Sequence, residues 1–600
     1  MGKDTAIKKR DQIDRKYKWN IEAMYPDESD WERDCEAVEE LGEKFASYAG
    51  RLMESPAVLL EAFKARDALW LKAEKLYVYA RMKKDEDTRV ARYQAMSDKA
   101  QSLMAKTGAR ASFFTPELLE MPEDKLLGFI AESNELKIYE HVIKVILREK
   151  AHVLSKEEEN LLARFSELTA ATNDIFSMIN NADIKFGTII DEDGDEVEVT
   201  HGRYVSLMES QDRRVRREAF EHMYAAYEAQ KNTLAVTYNY NTKTDIVISG
   251  IRKYGSSLEA ALSGDNIPVK VYDNLINTVN SKLPLIHRYM EIRRRALNLD
   301  AVHMYDLYTP LAKSPMREIE YEKALEIIEK GLTPLGEKYI SDMKKGFREG
   351  WIDVYENEGK TSGAYSFGSY DSMPYILLNY NGRLKDVFTI VHEMGHSMHS
   401  YYTRKTQPFI YGGHSIFTAE VASTVNENLL MKYLIEKETD IERKKYLLNL
   451  YIEEFRATLF RQTMFAEFER MTHLAVEEGE VLTTEWLCGK YLELNKKYFG
   501  EKVVYDSQIA MEWARIPHFY NAFYVYKYAT GYSAAAAISD KLLKEGTDAR
   551  DAYLEFLKSG ESDDPIPLLK LAGVDMSSPE PIEKALDTFE KLIEELDEII

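Results

Sequence analysis

Histidine and acidic side chains near position 392 have the spacing of a metal site. His392, Glu393 and His396 stand in the order H-E-x-x-H within VHEMGHSMHS. On an α-helix, residues four positions apart share a face, so both imidazoles can reach one zinc ion. Glu393 lies beside them and can act on a water molecule at the metal. The alternative is a helix that carries two surface histidines.

Glu420 is the candidate for a third ligand. It follows His396 by 24 residues in FTAEVASTVNENLL, which predicts a second helix. Its neighbours are small and apolar, and because a buried unpaired carboxylate is costly, a metal partner explains this residue. The fourth zinc position stays open for water. Ser423, Thr424 and Glu427 share the face of Glu420 and could orient the ligands, or they could be ordinary packing residues.

Two further histidines lie close to the motif in sequence. His399 follows His392 by seven residues, and we expect it to pack or to support the ligands rather than to bind the metal. Gly413 and His414 belong to YGGHS, a glycine-rich turn that would let a substrate backbone approach closely. We therefore predict that Gly413 and His414 contact substrate, with an ordinary turn as the alternative.

A tyrosine-rich segment spans residues 514–537, ARIPHFYNAFYVYKYATGYSAAAA. Tyrosines recur there at every fourth position and predict one stripe on a helix, typical of a core: Tyr520, Tyr524, Tyr528 and Tyr532. His518 and Tyr526 fall on a different face. A histidine and a tyrosine held near a zinc site can donate hydrogen bonds to the oxyanion formed when water attacks a peptide carbonyl.

Three of these segments, read together, carry a family resemblance. They are PYILLNYNGRLKDVFTIVHEMGHSMHSYY, GGHSIFTAEVASTVNE and IAMEWARIPHFYNAFYVYKYATG, and the opening KYKWNIEAMYPDESDWERD adds to them. The chain resembles oligoendopeptidase F, within the thimet oligopeptidase family of zinc metallopeptidases, over nearly its full length. The resemblance implies a mainly α-helical fold that encloses a deep channel, with zinc at its floor, and cleavage of short peptides.

The resemblance also assigns roles to individual residues. It implies that one zinc ion per chain is bound by three side chains, His392, His396 and Glu420. It implies that Glu393 is the general base and that His518 contacts the substrate carbonyl. For the tyrosine beside His518, the family spacing counted from Phe523 favours Tyr526, with Tyr524 as second choice and as a substrate contact.

The elements that must position these residues are mostly helical. Gly (29) and Pro (16) are sparse, and helical periodicity dominates the first 180 residues, including a helix over 29–50 that Ser29 could cap. Asp193-Gly194 lies between two β-prone runs and predicts a hairpin. We predict a helical N-terminal domain over residues 1–182 and a helical zincin catalytic domain with a small β-sheet over residues 183–600.

The segment before the metal motif breaks the helical pattern. Residues 361–383 are rich in Gly, Ser and Tyr, and YILLNY (375–380) predicts a strand. An extended peptide could pair with the edge of that strand. Asp386 opens the next run and is the predicted N-cap of the helix that carries His392.

Composition limits the partners. The 79 basic and 102 acidic residues give a net charge of −23, which disfavours nucleic acid and anionic membranes as partners. Cys35 and Cys488 form no CxxC pattern, and the N-terminus has no apolar signal segment, so we expect a cytoplasmic protein. The oligomeric state is left open.

The sequence therefore predicts a zinc-dependent endopeptidase that hydrolyses internal bonds of short oligopeptides through activated water. One alternative is an exopeptidase with the same channel, although no GAMEN-type motif is present to grip a free amine. A second alternative is a peptide-binding zinc protein without catalysis. The presence of Glu393 argues against this second alternative, because a zinc site without catalysis does not need that residue for its structure.

Overall fold

Helices make up most of the computed structural model, which describes residues 7–312 and 318–600. The mainly α-helical fold predicted from the periodicity is therefore confirmed. In chain order the α-helices are α1 (Glu28–Ala46), α2 (Pro56–Glu86), α3 (Ala91–Ala111), α4 (Phe114–Glu120), α5 (Glu123–Glu132), α6 (Glu140–Glu149), α7 (Lys156–Met178), α8 (His201–Met208), α9 (Arg213–Ala229), α10 (Lys231–Ile251), α11 (Ser257–Ser263), α12 (Val269–Ser281), α13 (Leu283–Ala296), α14 (Tyr321–Gly331), α15 (Gly336–Arg348), α16 (Leu384–Thr406), α17 (Ile416–Lys437), α18 (Ile441–Glu454), α19 (Arg461–Glu477), α20 (Thr484–Phe499), α21 (Tyr526–Glu545), α22 (Thr547–Ser559), α23 (Pro565–Leu571) and α24 (Glu580–Ile599).

Among the residues that the structure describes, the strands are short and form three small sheets. They are β1 (Thr188–Ile190), β2 (Glu196–Glu198), β3 (Val302–His303), β4 (Ile352–Asp353), β5 (Tyr365–Phe367), β6 (Tyr375–Leu377) and β7 (Val503–Val504). β1 and β2 form the predicted antiparallel hairpin, in which Gly194 has φ +89°. β3 pairs with β7 in parallel.

The third sheet lies directly before the metal motif. Its strand order is β4-β6-β5, with β6 parallel to β4 and antiparallel to β5. The predicted strand in 375–380 is present, but it is the central strand, so both of its edges are already paired. The hypothesis that a peptide adds to this strand is therefore wrong; a peptide could reach the sheet only at an outer strand.

Two predicted helix caps differ from the structure. The N-cap of α1 is Asp27, whose carboxylate accepts the N–H of Ser29 at 2.7 Å, so the predicted cap Ser29 is itself inside the helix. α16 begins at Leu384, and Asp386 lies in its first turn rather than at the N-cap. The carboxylate of Asp386 still closes this end, because it accepts the N–H groups of Asn381 and Arg383 at 2.9 and 3.0 Å.

Contacts divide the described residues into two units, each made of several stretches of the chain. The first unit takes its residues from Met1–Ala151, Met316–Leu430 and Ile538–Gly573, and the second from His152–Pro315, Met431–Ala537 and Val574–Ile600. The prediction places one domain boundary at residue 182, whereas the stretches of these two units alternate along the sequence. The domain boundary and the substrate channel stay predictions.

The core of the first unit is built on α1, α2 and α3. Trp31 and Phe63 are buried there, and Tyr375 and Leu377 bring the central strand β6 into the same cluster. Beside it, the buried carboxylate of Asp353 contacts Arg10 and Lys360, each at 2.7 Å. Burial raises the pKa of Asp353, but the two cations outweigh burial and lower it below its usual value.

In the second unit, the C-terminal helix α24 buries an apolar face made of Ile582, Leu586, Phe589, Ile593 and Leu596. Buried Glu512 anchors the 3-10 helix Ser507–Arg515, since it accepts hydrogen bonds from Arg461 at 2.8 Å and Tyr491 at 2.6 Å. Within the described ranges, no helix combines the length and the apolar character needed to cross a membrane.

Candidate functional site

The H-E-x-x-H residues lie on α16, and α17 brings Glu420 to them. The Nε2 atoms of His392 and His396 are 3.2 Å apart. The Oε2 atom of Glu420 lies 3.5 Å from the first and 3.6 Å from the second. Three ligand atoms thus converge from two helices, and among the described residues these three form the one group able to hold a metal ion. The predicted trio is therefore brought together by the fold.

Gly395 explains how α17 comes so close to α16. A Cβ atom at this position would lie 2.5 Å from Cα of Ser423 and 2.8 Å from the carbonyl oxygen of Ala422. Both are backbone atoms of α17, so any side chain larger than hydrogen would separate the helices. Sequence reasoning did not single out Gly395, although a glycine inside a helix is a signal of close packing.

Neighbouring polar groups orient the ligands. Glu427, one of the predicted supporting residues, places Oε1 3.3 Å from Nδ1 of His392, so this carboxylate fixes the ring orientation. The hydroxyl of Ser423 donates to the Glu420 backbone carbonyl at 2.9 Å and to its Oε2 at 3.3 Å. Asn426 donates to the Val391 carbonyl at 3.3 Å and ties the two helices together.

Glu393 faces the sheet that precedes the helix. Burial raises the pKa of its carboxyl group to about 7, with His392 opposing and Glu420 adding to the rise. The backbone N–H of Ser366 on β5 donates a hydrogen bond to the same carboxyl group. The hydroxyl groups of Ser366 and Ser397 are 2.8 Å apart, which ties β5 to α16. A carboxyl group with this pKa can accept and return a proton near neutrality.

Acidic groups make the pocket around the ligands attractive to a cation. Glu393, Glu420 and Glu427 surround two imidazoles. Burial lowers the pKa of His392, but the hydrogen bond with Glu427 and the charges of Glu427, Glu393 and Glu420 together outweigh burial and raise it to about 9. In His396, burial and the neighbouring His392 lower the pKa to about 4. Carboxylate and imidazole groups arranged in this way suit a divalent metal.

His399 and His414 form a separate pair in the same unit. Their rings lie with centroids 3.7 Å apart and planes tilted by 39°, and His399 is buried, as expected for a packing residue. Thr403 donates its hydroxyl proton to the Leu557 carbonyl, so it accepts from Nε2 of His414 at 2.9 Å. Burial lowers the pKa of His414 to about 3. Gly413 is exposed. The predicted substrate contacts of Gly413 and His414 stay predictions.

The tyrosine-rich segment belongs to the second unit and is not one helix. His518 lies in the 3-10 helix Pro517–Tyr520, and α21 begins only at Tyr526. Between them the buried residue Phe523 has φ +56°, in the left-handed region. The predicted four-residue stripe is therefore wrong, because this turn separates its first two tyrosines from the helix.

The turn decides which tyrosines meet His518. The hydroxyl of Tyr528 lies 3.3 Å from Nε2 of His518, and the ring of Tyr524 stacks on the imidazole with centroids 6.0 Å apart. Tyr526, the first choice from the sequence, is fully buried with its ring 5.2 Å from that of Tyr272. The tyrosine spacing predicts Tyr528 only as a core residue, and no sequence pattern indicates its contact with His518.

Comparison with known proteins agrees with these features. A profile of peptidase family M3 matches residues 206–588, and a profile described as oligopeptidase F matches residues 117–186. The chain belongs to peptidase family M3. This M3 peptidase is 48% identical to oligopeptidase PepF of Bacillus subtilis (strain 168) over 598 residues, which cover 100% of the chain and 89% of that relative.

Two further relatives cover similar lengths. Group B oligopeptidase PepB of Streptococcus agalactiae serotype III (strain NEM316) is 43% identical over 98% of this M3 peptidase and 98% of that relative. The crystal structure of oligoendopeptidase-F from Enterococcus faecium superimposes with a TM-score of 0.73 at 39% identity, covering 95% and 99% of the two chains. The resemblance to oligoendopeptidase F and the prediction of a peptide-cleaving metalloenzyme are therefore confirmed.

Proposed function

We propose that the chain is a zinc-dependent endopeptidase that hydrolyses internal bonds of short peptides. The observation that carries this proposal is the convergence of His392, His396 and Glu420, with Glu393 adjacent on the same helix. Printed names of the relatives, oligopeptidase and oligoendopeptidase F, support peptide substrates and internal cleavage. On this proposal the enzyme acts on peptides in the cytoplasm.

Zinc is the metal that suits this donor set best. Ligands at Zn–N and Zn–O distances of about 2.0–2.2 Å lie about 3.3–3.6 Å apart in a tetrahedron. The three ligand atoms are separated by 3.2, 3.5 and 3.6 Å, close to three edges of that tetrahedron. Two imidazoles and one carboxylate leave the fourth position open, which is the pattern of catalytic rather than structural zinc.

Zinc, when bound, supplies a Lewis acid that lowers the pKa of water and polarises the carbonyl of the bond to be cleaved. Glu393, adjacent to the proposed ligands on the same helix, accepts the proton of the attacking water and passes it to the leaving amine. Ser366 orients this carboxyl group through its backbone N–H. Glu427 holds His392 in the orientation that directs Nε2 toward the other ligands.

For the oxyanion we propose His518 and Tyr528 as hydrogen-bond donors, with Tyr524 as a substrate contact. The 3.3 Å separation of the His518 and Tyr528 polar atoms supports a shared role. Tyr526 was the first choice from sequence, but full burial makes it the weaker candidate. Gly413 and His414 keep their proposed role in binding the substrate backbone.

The test is cleavage of a doubly blocked, fluorescence-quenched peptide of about ten residues, chosen because short unfolded chains need no prior unfolding. Chelator-sensitive internal cleavage that zinc restores is the expected result. Glu393→Gln is the matched control, since it should retain zinc while kcat falls about 10²- to 10⁴-fold. Cleavage only of peptides with free ends would favour the exopeptidase alternative. Zinc binding without any turnover would favour the non-catalytic one.

A further inference from the structure

A buried carboxyl group on α19 holds the turn that separates His518 from α21. Glu469 is fully buried, and its Oε1 atom accepts the backbone N–H of Phe523 at 3.0 Å. Its other oxygen, Oε2, is buried without a hydrogen-bond partner among the described residues. Nothing in the proposed chemistry uses this group, so its position in the core calls for another explanation.

Phe523 is the residue that needs such support. A bulky residue in the left-handed region is strained, and it persists only where the surroundings hold it. Here the ring of Phe523 packs 4.4 Å from that of His473 and 5.7 Å from that of Tyr272. These ring contacts fix the side chain, whereas Glu469 fixes the backbone at the strained residue itself.

The strained turn determines how the polar groups of this segment meet. Upstream of Phe523 the chain carries His518, and downstream it starts α21, whose first turn carries Tyr528. A continuous helix would separate residues 518 and 528 by about 15 Å along its axis, because each residue advances the helix by about 1.5 Å. The observed 3.3 Å separation therefore depends on the break at Phe523.

We propose that Glu469 is a positioning residue: its buried carboxyl group holds Phe523 in the left-handed conformation and so fixes His518 relative to Tyr528. The inference rests on the function proposed above, in which these two side chains stabilise the oxyanion. Burial raises the pKa of the Glu469 carboxyl group above its usual value.

Two substitutions of similar volume distinguish the role of Glu469 as a hydrogen-bond acceptor from its role in filling space. Glu469→Gln keeps an oxygen that can accept from Phe523, so kcat should stay within about threefold of the parent enzyme. Glu469→Met fills the same space without an acceptor, so kcat should fall about 10-fold or more while KM changes little, as when groups used in the transition state are misplaced.

The chain offers a matched control on the same helix. Glu477 is exposed and accepts both the backbone N–H of Ser257 at 2.9 Å and its hydroxyl at 2.7 Å, so Glu477→Met removes a carboxylate-to-backbone bond of the same kind at a place remote in sequence from the tyrosine segment. It should leave kcat unchanged. An equal fall of kcat in Glu477→Met and Glu469→Met, or parental kcat in folded Glu469→Met, would overturn the proposal.

Amide hydrogen exchange of the parent enzyme tests the Glu469–Phe523 contact even if a variant does not fold. The Phe523 amide should be protected in the parent enzyme and in Glu469→Gln, and should exchange faster in Glu469→Met. Fast exchange at Phe523 in the folded parent enzyme overturns the proposal even if Glu469→Met fails to fold. Failure of the parent enzyme to cleave peptides would instead defeat the proposed function, and exchange at Phe523 would still report the Glu469 contact.

Discussion

Gly395→Ala is the smallest change that should disrupt the metal centre without touching a ligand. The added methyl carbon would lie 2.5 Å from Cα of Ser423, about 0.9 Å short of the 3.4 Å at which ordinary contact begins. Because the obstructing atoms belong to the backbone of α17, no rotamer change can relieve the clash. The two helices must move apart, and Glu420 moves with Ser423, which lies one turn after it.

The size of the effect follows from this displacement. Overpacking of this kind destabilises a fold by about 1–3 kcal/mol. A displacement near 1 Å of a group in an active site can lower the rate about 100-fold. We therefore expect Gly395→Ala to lower the melting temperature, to weaken zinc binding and to lower kcat/KM by about 100-fold.

The assay compares zinc content after dialysis, melting temperature and peptide cleavage for two glycine variants. Gly489 lies exposed inside α20, and a Cβ there would meet no atom within 4 Å. Gly489→Ala should be neutral or stabilise the fold by about 0.5–1 kcal/mol, because alanine is the better helix former. Parental zinc affinity and activity in Gly395→Ala would refute the argument that the close approach of α17 sets the ligand geometry.

Three further predictions follow from the same contacts. Glu427→Gln should weaken zinc binding about 10- to 100-fold, measured by competition with a chelator, because it removes the charge that orients a ligand ring. Tyr528→Phe should lower kcat about 10²-fold or more with little change in KM, whereas Tyr526→Phe should leave kcat unchanged. If Tyr526→Phe lowers kcat and Tyr528→Phe does not, Tyr526 is the oxyanion donor, as the sequence first indicated. Asp353→Asn should destabilise the protein by about 3–5 kcal/mol at pH 7, because buried Lys360 loses its carboxylate partner and Arg10 keeps only Glu86. The folded-state pKa of Asp353 is lowered, so its stabilisation is present above its unfolded pKa near 3.8 and is lost as pH falls below it. Melting temperatures of the parent and the variant should therefore converge in acid.

Local patterns predicted the parts of the site that depend on one helix. The i, i+4 spacing of His392 and His396 fixes their common face wherever the helix is placed, and Glu393 is carried along with them. The apolar residues around Glu420 predicted that its carboxylate is buried, and this is wrong, because the Glu420 side chain is 46% exposed; what the structure shows instead is its approach to the two histidines. Glu427 followed from the same helical face, and the structure places it on His392 as the spacing indicated.

Predictions that required a partner element were less successful. YILLNY has the composition of a strand, but composition does not state how many neighbours a strand has, and β6 is paired on both sides. The tyrosine stripe assumed that periodicity continues through residues 520–532. Left-handed Phe523 breaks it, and that conformation is held by Glu469 on a helix more than 50 residues earlier in the chain.

The sequence by itself determined the helical class of the chain and which side chains are candidates for metal ligands, because helix periodicity and ligand spacing are local properties. Only the tertiary structure decided how those residues meet. Gly395 sets the distance between two helices, and Phe523 sets which tyrosine reaches His518. Both depend on backbone atoms that approach from distant parts of the chain, and such contacts leave no regular spacing in the sequence.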